Sequence, residues 1–195
     1  MASRSISALR ERPPGGVEIE LDGDRWRTVP VDVVVRAGLA VGQVLDRAAA
    51  SALARELRRA KAVGGATRAL AARDRSRAEL DERLARAGVP VGVRADALDQ
   101  LERAGLVDDS RLARSRAEAL AARGYGDAAI RARLAREGLA ADIALAALDE
   151  LEPERERARR LFGRDGGSPR ALKRLAARGF DRDTLAELAA FADSE

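Results

Sequence analysis

The acidic pair Asp108-Asp109 is the one place in this 195-residue sequence where side chains could support catalysis, as ligands of Mg²⁺. A metal site needs two or more carboxylates converging from separate elements, and nothing in the spacing supplies the others. The pair reads better as a helix N-cap, opening a helix that runs through Leu112, Ala113, Ala117 and Leu120. The sequence contains no His and no Cys. That excludes Ser-His-Asp and Cys-His nucleophilic sites, disulfides, and zinc sites built on imidazole or thiolate. Gly124-Tyr125-Gly126 lacks the Gly-Lys-Ser/Thr ending of a phosphate loop, and neither it nor the Gly163 to Gly167 stretch follows a strand. Both read as helix connectors. The expectation is a protein with no catalytic residues, no cofactor and no metal.

Binding chemistry falls to arginine. All but Lys61 and Lys173 of the 36 basic residues are Arg, whose planar forks suit phosphate and carboxylate. A GC-rich genome would give the same bias toward Arg, Ala and Gly with no functional meaning. Against 32 acidic residues the net charge is only +4, so a basic surface must arise by folding. The pI near 10.4 reflects the lack of groups titrating between the acids and the guanidiniums. Trp26, Tyr125, Phe162, Phe180 and Phe191 are too few for a base-stacking platform. Arg111 and Arg114 share a helical stripe with Glu118, opposite the apolar positions. Arg131 with Arg136 recurs on a helix matching that of Arg83 and Arg86, and four more Arg lie between Arg155 and Arg160. A charged stripe is ordinarily a solvated face, but repetition on equivalent helices favours binding, because arrays align equivalent faces. The candidate partner-binding residues are Arg75, Arg77, Arg111, Arg114, Arg131, Arg136, Lys173 and Arg174.

These residues need a scaffold, and its punctuation is readable. Residues 1–16 end in Pro13-Pro14-Gly15-Gly16 and read as a disordered lead-in. Val17 to Leu21 alternates as a half-buried strand, Asp22-Gly23 suits a tight hairpin turn, and Arg25 to Val29 returns antiparallel. Pro30 opens a short helix through Arg36 that Gly38 stops. This hairpin-helix element occupies 17–46 and must lean on helix, through Val17, Ile19, Leu21 and Trp26. Everything beyond is helical in flavour, and whether Gly64-Gly65 breaks the first long helix stays open.

The helical part repeats itself. Leu80 to Val89, Ile130 to Leu139 and Ala171 to Phe180 each place a Leu four residues before a Gly and a large apolar residue after it. The Leu packs inward, the Gly takes the left-handed position ending the helix, and the next residue closes a contact beneath it. Ser76 with Glu79, Asp127, and Ser168-Pro169 supply start signals. The expected fold class is mainly α: tandem three-helix repeats forming a curved array, spanning 47–106, 107–151 and 152–195, behind the β-hairpin/helix element. No stretch approaches the roughly 18 apolar residues of a membrane span, and no apolar signal core follows Met1. The chain is expected to be cytoplasmic.

The sequence resembles the RecX family, regulatory proteins of the bacterial recombinase RecA, over about residues 17–192. The resemblance runs through Asp22-Gly23, Gly38-Leu39 with Gly42, Ala69-Leu70 and Arg75-Ser76-Arg77-Ala78-Glu79-Leu80. Its strongest stretch is Leu101 with Gly105-Leu106-Val107-Asp108-Asp109-Ser110-Arg111-Leu112-Ala113. Arg133-Leu134-Ala135-Arg136-Glu137-Gly138-Leu139 and Arg178-Gly179-Phe180 complete it. The sequence departs from the family at Leu112, where an aromatic is usual, and at Arg116-Ala117, where a bulky apolar pair is usual. The resemblance implies a monomeric, non-catalytic regulator that binds the RecA filament on single-stranded DNA, with weak direct DNA contact. It further implies inhibition of the filament's ATPase, strand-exchange and co-protease activities, and so of recombination, DNA repair and the SOS response. The rival reading is a helical-repeat protein that binds nucleic acid directly.

Overall fold

The computed structural model describes residues 4–192. They divide into two compact units, one of residues 4–71 and 81–104, the other of residues 72–80 and 105–192. The first unit opens with an antiparallel sheet of β1 (Ile6–Arg12), β2 (Gly16–Leu21) and β3 (Asp24–Pro30), in that order. Asp22 (φ 53°) and Gly23 (φ 90°) form the turn between β2 and β3, where two positive φ values match the twist of the paired strands. The expectation of a disordered lead-in over 1–16 is corrected: residues 6–12 are a strand, and the hairpin is a three-stranded sheet. Pro13 to Gly15 is the turn joining β1 to β2 rather than the end of a tail, and Gly16 opens β2. Ile6 is fully buried opposite Leu21, and across the solvent face Arg10 pairs with Glu20 (2.7 Å) and Arg12 with Glu18 (2.8 Å).

Ile6, Val17, Ile19, Leu21 and Val29 face a core completed by Val33 and Val34 of α1 (Val31–Arg36) and Leu53 of α2 (Arg47–Ala72). The sheet and the start of the long helix therefore share one hydrophobic cluster. Trp26 does not belong to it. It is the unpaired residue of a bulge in β3, partly exposed, with the Arg27 guanidinium 4.9 Å from its ring. α2 runs unbroken through Gly64-Gly65, settling that open point. Arg59, almost fully buried, donates to Glu56 (2.8 Å) on its own helix and to Gln100 (2.5 Å) of α4 (Val91–Arg103). α3 (Arg77–Arg86) precedes α4 and is divided between the units after Leu80.

The second unit contains α5 (Asp109–Ala122), α6 (Asp127–Arg136) and α7 (Ala141–Asp149), followed by α8 (Glu154–Arg164), α9 (Pro169–Ala177) and α10 (Arg182–Ala192). Leu112, Ala113, Ile130, Leu134 and Leu139 anchor one cluster; Ala158, Phe162, Leu175 and Phe180 anchor the next. The three repeated helix ends are alike in detail. Gly88, Gly138 and Gly179 all have φ between 75° and 80°. The residue after each donates its N–H to the Leu carbonyl five positions back: Val89 to Leu84 (3.1 Å), Leu139 to Leu134 (3.1 Å), Phe180 to Leu175 (3.3 Å). That is the glycine-terminated cap the repeats imply.

Two of these glycine turns also form joints within the second unit. The Ser76 hydroxyl at the start of α3 donates to the Glu137 carbonyl, and a Cβ on Gly138 would stand 2.7 Å from that of Ala78. Likewise the Gly126 N–H at the start of α6 donates to the Arg178 carbonyl (2.9 Å), and a Cβ on Gly179 would lie 2.6 Å from that of Ala129. Gly126, not Asp127, is therefore the N-cap of α6. The Asp127 carboxylate instead holds Arg157, a buried guanidinium that also donates to the Tyr125 (3.0 Å) and Glu152 (2.9 Å) carbonyls. Glu154 receives the Asp127 (2.6 Å) and Asp181 (3.3 Å) N–H groups; burial, helped by the Asp127 charge, still raises it above its ordinary value.

Gly126 has an ordinary φ of −80°, but a methyl group there would collide with the Gly179 carbonyl. Gly126→Ala should cost about 1–3 kcal/mol through overpacking. Gly65→Ala meets nothing within 4 Å in mid-helix and should gain roughly 0.5–1 kcal/mol. Urea unfolding of the two variants checks both signs. In the sheet, the Arg12 hydrogen bond, aided by the Arg25 and Arg10 charges, holds Glu18 below its usual 4.5, and the Ser5 N–H and Arg4 hold Asp22 below 3.8. Carboxylates lowered by folding stabilise it above those ordinary values and lose that contribution as pH falls through the lower folded ones. Acid should therefore loosen the sheet below about pH 4, and Glu18→Gln should blunt the response. The fluorescence of Trp26, the sole Trp, reports it.

Candidate partner-binding surface

The acidic pair is occupied in capping. Asp108 is the N-cap of α5, its carboxylate accepting the Arg111 N–H (2.8 Å). Asp109 accepts the Arg77 N–H (2.8 Å) at the start of α3, so the pair serves the N-termini of two helices. Among the described residues no three acidic side chains converge as a metal site would require.

The eight candidate basic residues are distributed over α3 and the segment before it, α5, α6 and α9. Arg75 pairs with Glu79, one turn further along the chain. Arg111 remains 59% exposed, its guanidinium near the Gly105 carbonyl (3.2 Å) and Asp108 (3.6 Å). Arg114 reaches across to Glu150 beyond the end of α7 (2.5 Å), and Arg174 to Asp165 (3.0 Å). Arg131 and Lys173 are exposed. Arg136 is exposed too, its Nε donating to the Ala132 carbonyl of its own helix (3.2 Å).

What the fold assembles is a groove of ≈ 410 Å³ between α5 and α6, lined by Arg116, Ala119, Leu120, Arg123, Arg133, Arg136 and Glu137. Four guanidiniums from two helices thus border one concavity. Its sole carboxylate, Glu137, is held by Arg116 (3.2 Å). The Arg133 guanidinium lies 3.9 Å from the Tyr125 ring centroid and that of Arg123 5.7 Å, so both interact with a π face. Of the eight candidates only Arg136 lines this groove. Arg116 on α5 and Arg123 at its C-cap are seven apart, and Arg133 and Arg136 are three apart on α6. Such spacings place side chains on one face, but they are so frequent in an Arg-rich chain that they did not stand out.

Two crystal structures have this architecture. A regulatory protein RecX matches 96% of this chain and 99% of its own, with a TM-score of 0.79 and 23% identity. RecX from Lactobacillus salivarius matches 71% of this chain and 98% of its own, with a TM-score of 0.61 and 19% identity. The chain has the RecX fold. No protein-family model matches the sequence, and no curated protein does. This RecX fold is mainly helical, with the three-stranded sheet at its N-terminal end. No described helix is long and apolar enough to cross a membrane.

Because Asn caps helices as well as Asp does, Asp108→Asn with Asp109→Asn should leave the melting temperature nearly unchanged. Asp108→Ala should cost about 1 kcal/mol, because Arg111 N–H loses its acceptor. Thermal melts of the three proteins measure this. A double Asn variant that melted normally but lost partner binding would return a direct role to the pair.

Proposed function

We propose that this chain is a non-catalytic, RecX-type regulator of RecA nucleoprotein filaments. The observation that carries the reading is the structural match over 96% of the chain to a regulatory protein RecX. The paired use of Asp108 and Asp109 in capping supports a role without chemistry, as does a sequence with neither His nor Cys. On this reading the protein binds the filament on single-stranded DNA as a monomer in the cytoplasm. It lowers the filament's ATPase, strand-exchange and co-protease activities, and thereby restrains recombination and repair.

The exposed basic residues Arg111, Arg114, Arg131, Arg136, Lys173 and Arg174, with the half-buried Arg75 and Arg77, belong to the proposed docking surface. The internal pairs of Arg111 and Arg114 do not oppose this. Solvent-exposed ion pairs contribute at most about 1 kcal/mol and can be exchanged for a partner's anions.

DNA-dependent RecA ATPase, measured with substoichiometric amounts of this protein, tests the function. A fall in rate is expected, and an unchanged rate at excess protein would end the reading. Arg111→Glu with Arg114→Glu should weaken inhibition while shifting stability by no more than about 0.5 kcal/mol per site, because both residues are exposed. Inhibition unchanged in that variant would move docking elsewhere on the basic surface.

A further inference from the structure

We propose that copies of this chain contact one another head to tail, the start of α9 in one copy docking on the Gly88 turn at the end of α3 in the next. Glycine turns end α3, α6 and α9, and each of these helices also has a start. The turns of α6 and α9 are filled by the starts of α3 and α6. The turn of α3 and the start of α9 are left over. Nothing in this contact depends on what the chain regulates.

The Gly88 turn has the backbone of a filled joint without its occupant. Its φ of 75° and its hydrogen bond from Val89 to Leu84 match those of the Gly138 and Gly179 turns. A Cβ on Gly138 or Gly179 would collide with Ala78 or Ala129, whereas one on Gly88 would meet nothing within 4 Å. The Glu137 and Arg178 carbonyls, each just before its glycine, accept from the Ser76 hydroxyl and the Gly126 N–H. Ala87, at the equivalent position, is exposed, and its carbonyl accepts no hydrogen bond among the described residues. The apolar residue after the glycine is buried at Leu139 and Phe180, but Val89 is only half-buried. Two residues further on, Val91 is 72% exposed, where the other repeats have Ala141 and Arg182. The two filled copies show what covers such a turn: the start of the equivalent helix of another repeat, bringing a hydrogen-bond donor to the carbonyl.

The start of α9 carries that donor. Ser168 is its N-cap, the hydroxyl oxygen accepting the Ala171 N–H (3.4 Å) as that of Ser76 accepts the Glu79 N–H (3.1 Å). The Ser76 O–H goes on to the Glu137 carbonyl, whereas the Ser168 O–H has no acceptor among the described residues. Ala78 is exposed even in its filled joint, so the longer side chain of Arg170, likewise two residues after the serine, extends into solvent. The two unfilled halves also lack the same accessory contact. In the filled joints the first N–H of the helix goes to the carboxylate that opens the following repeat, Arg77 to Asp109 (2.8 Å) and Asp127 to Glu154 (2.6 Å). α9 begins with Pro169, which has no N–H. α2 begins with Arg47 rather than an acid, and Asp46 before it is taken by the Ala49 N–H (2.8 Å). A second copy therefore joins these halves with no backbone N–H or carboxylate left over.

Because the two surfaces differ, the contact is heterologous, and copies extend head to tail into chains rather than pairing as a symmetric dimer. One helix start against one turn falls short of the area that holds a stable complex. Free copies therefore separate when dilute, and they meet when concentrated or held side by side on one scaffold.

The test is chemical crosslinking of the full chain, which has no Cys of its own. Ala87→Cys with Arg170→Cys, both at exposed positions, puts one thiol beside the turn and one beside the start. A flexible bismaleimide added to the concentrated protein should give a ladder of dimers, trimers and longer species. In that background Ser168→Asp still caps α9 but cannot donate to a carbonyl. Its crosslinked product should fall about fivefold, the effect of one hydrogen bond, with an unchanged melting temperature. Ser168→Asn caps equally and retains a donor, so it should keep the ladder. A control pair, Ala87→Cys with Arg131→Cys, places the second thiol on α6 instead and should give no ladder. An absent ladder, a product that stops at dimer, or an equal ladder from the control pair would each overturn the proposal. So would a ladder that Ser168→Asp leaves intact; if that variant melts abnormally, the control pair decides. RecA is absent throughout, so the outcome is separate from the regulator reading, which the RecA ATPase measurement alone decides.

Discussion

The second unit depends on one recurring contact: the carbonyl end of a helix set against the amino end of the equivalent helix in the preceding repeat. α9 meets α6 through the Arg178 carbonyl and the Gly126 N–H, and α6 meets α3 through the Glu137 carbonyl and the Ser76 hydroxyl. Helix ends carry opposite partial charges and unsatisfied backbone groups, so end-to-start contact meets needs that would otherwise fall to water. The approach is so close that only glycine fits at Gly126, Gly138 and Gly179, with Ala78 and Ala129 facing two of them. The left-handed glycine turn therefore acts twice, ending one helix and admitting its neighbour.

Charge is then distributed around that framework. Arg157 is buried beside the Tyr125–Gly126 turn and has three partners there, so it is part of the joint rather than of any surface. In the first unit Arg59 plays a comparable part between α2 and Gln100. Losing either guanidinium would leave buried acceptors unpaired, whereas exposed pairs such as Arg114 with Glu150 contribute little. A net charge of +4 hides this sorting. Most acids are consumed by local pairs or caps, and the α5–α6 groove is left with more guanidinium than carboxylate.

The regulator reading and this surface are mutually consistent. A protein that acts by occupying a nucleoprotein assembly needs a rigid frame and exposed cations more than an enclosed pocket. The close glycine joints provide the rigidity, because helices that meet backbone to backbone have little room to slide. The groove is lined by guanidinium forks that converge from separate positions in the chain.

Much of this was legible before folding was considered. The Asp22-Gly23 turn, the Ser168-Pro169 start, the Asp108 cap and the three glycine-terminated helices are local features, decided by φ preferences and backbone groups within a few residues. Strand β1 was not, because Pro13 to Gly16 punctuates equally well as a tail boundary or as a turn. Only pairing with β2, with Ile6 buried opposite Leu21, distinguishes the two. The role of Gly126 was likewise hidden, since its hydrogen-bond partner, Arg178, is remote in sequence. Periodicity placed Arg111, Arg114, Arg131 and Arg136 on helices but could not tell which arginines would converge. Helical spacing relates side chains on one helix, whereas the groove of Arg116, Arg123, Arg133 and Arg136 depends on how two helices pack. Sequence alone determined the local signals that cap and end most helices, because these depend on backbone groups a few residues apart; tertiary packing decided which helix ends meet and which charges find an acid.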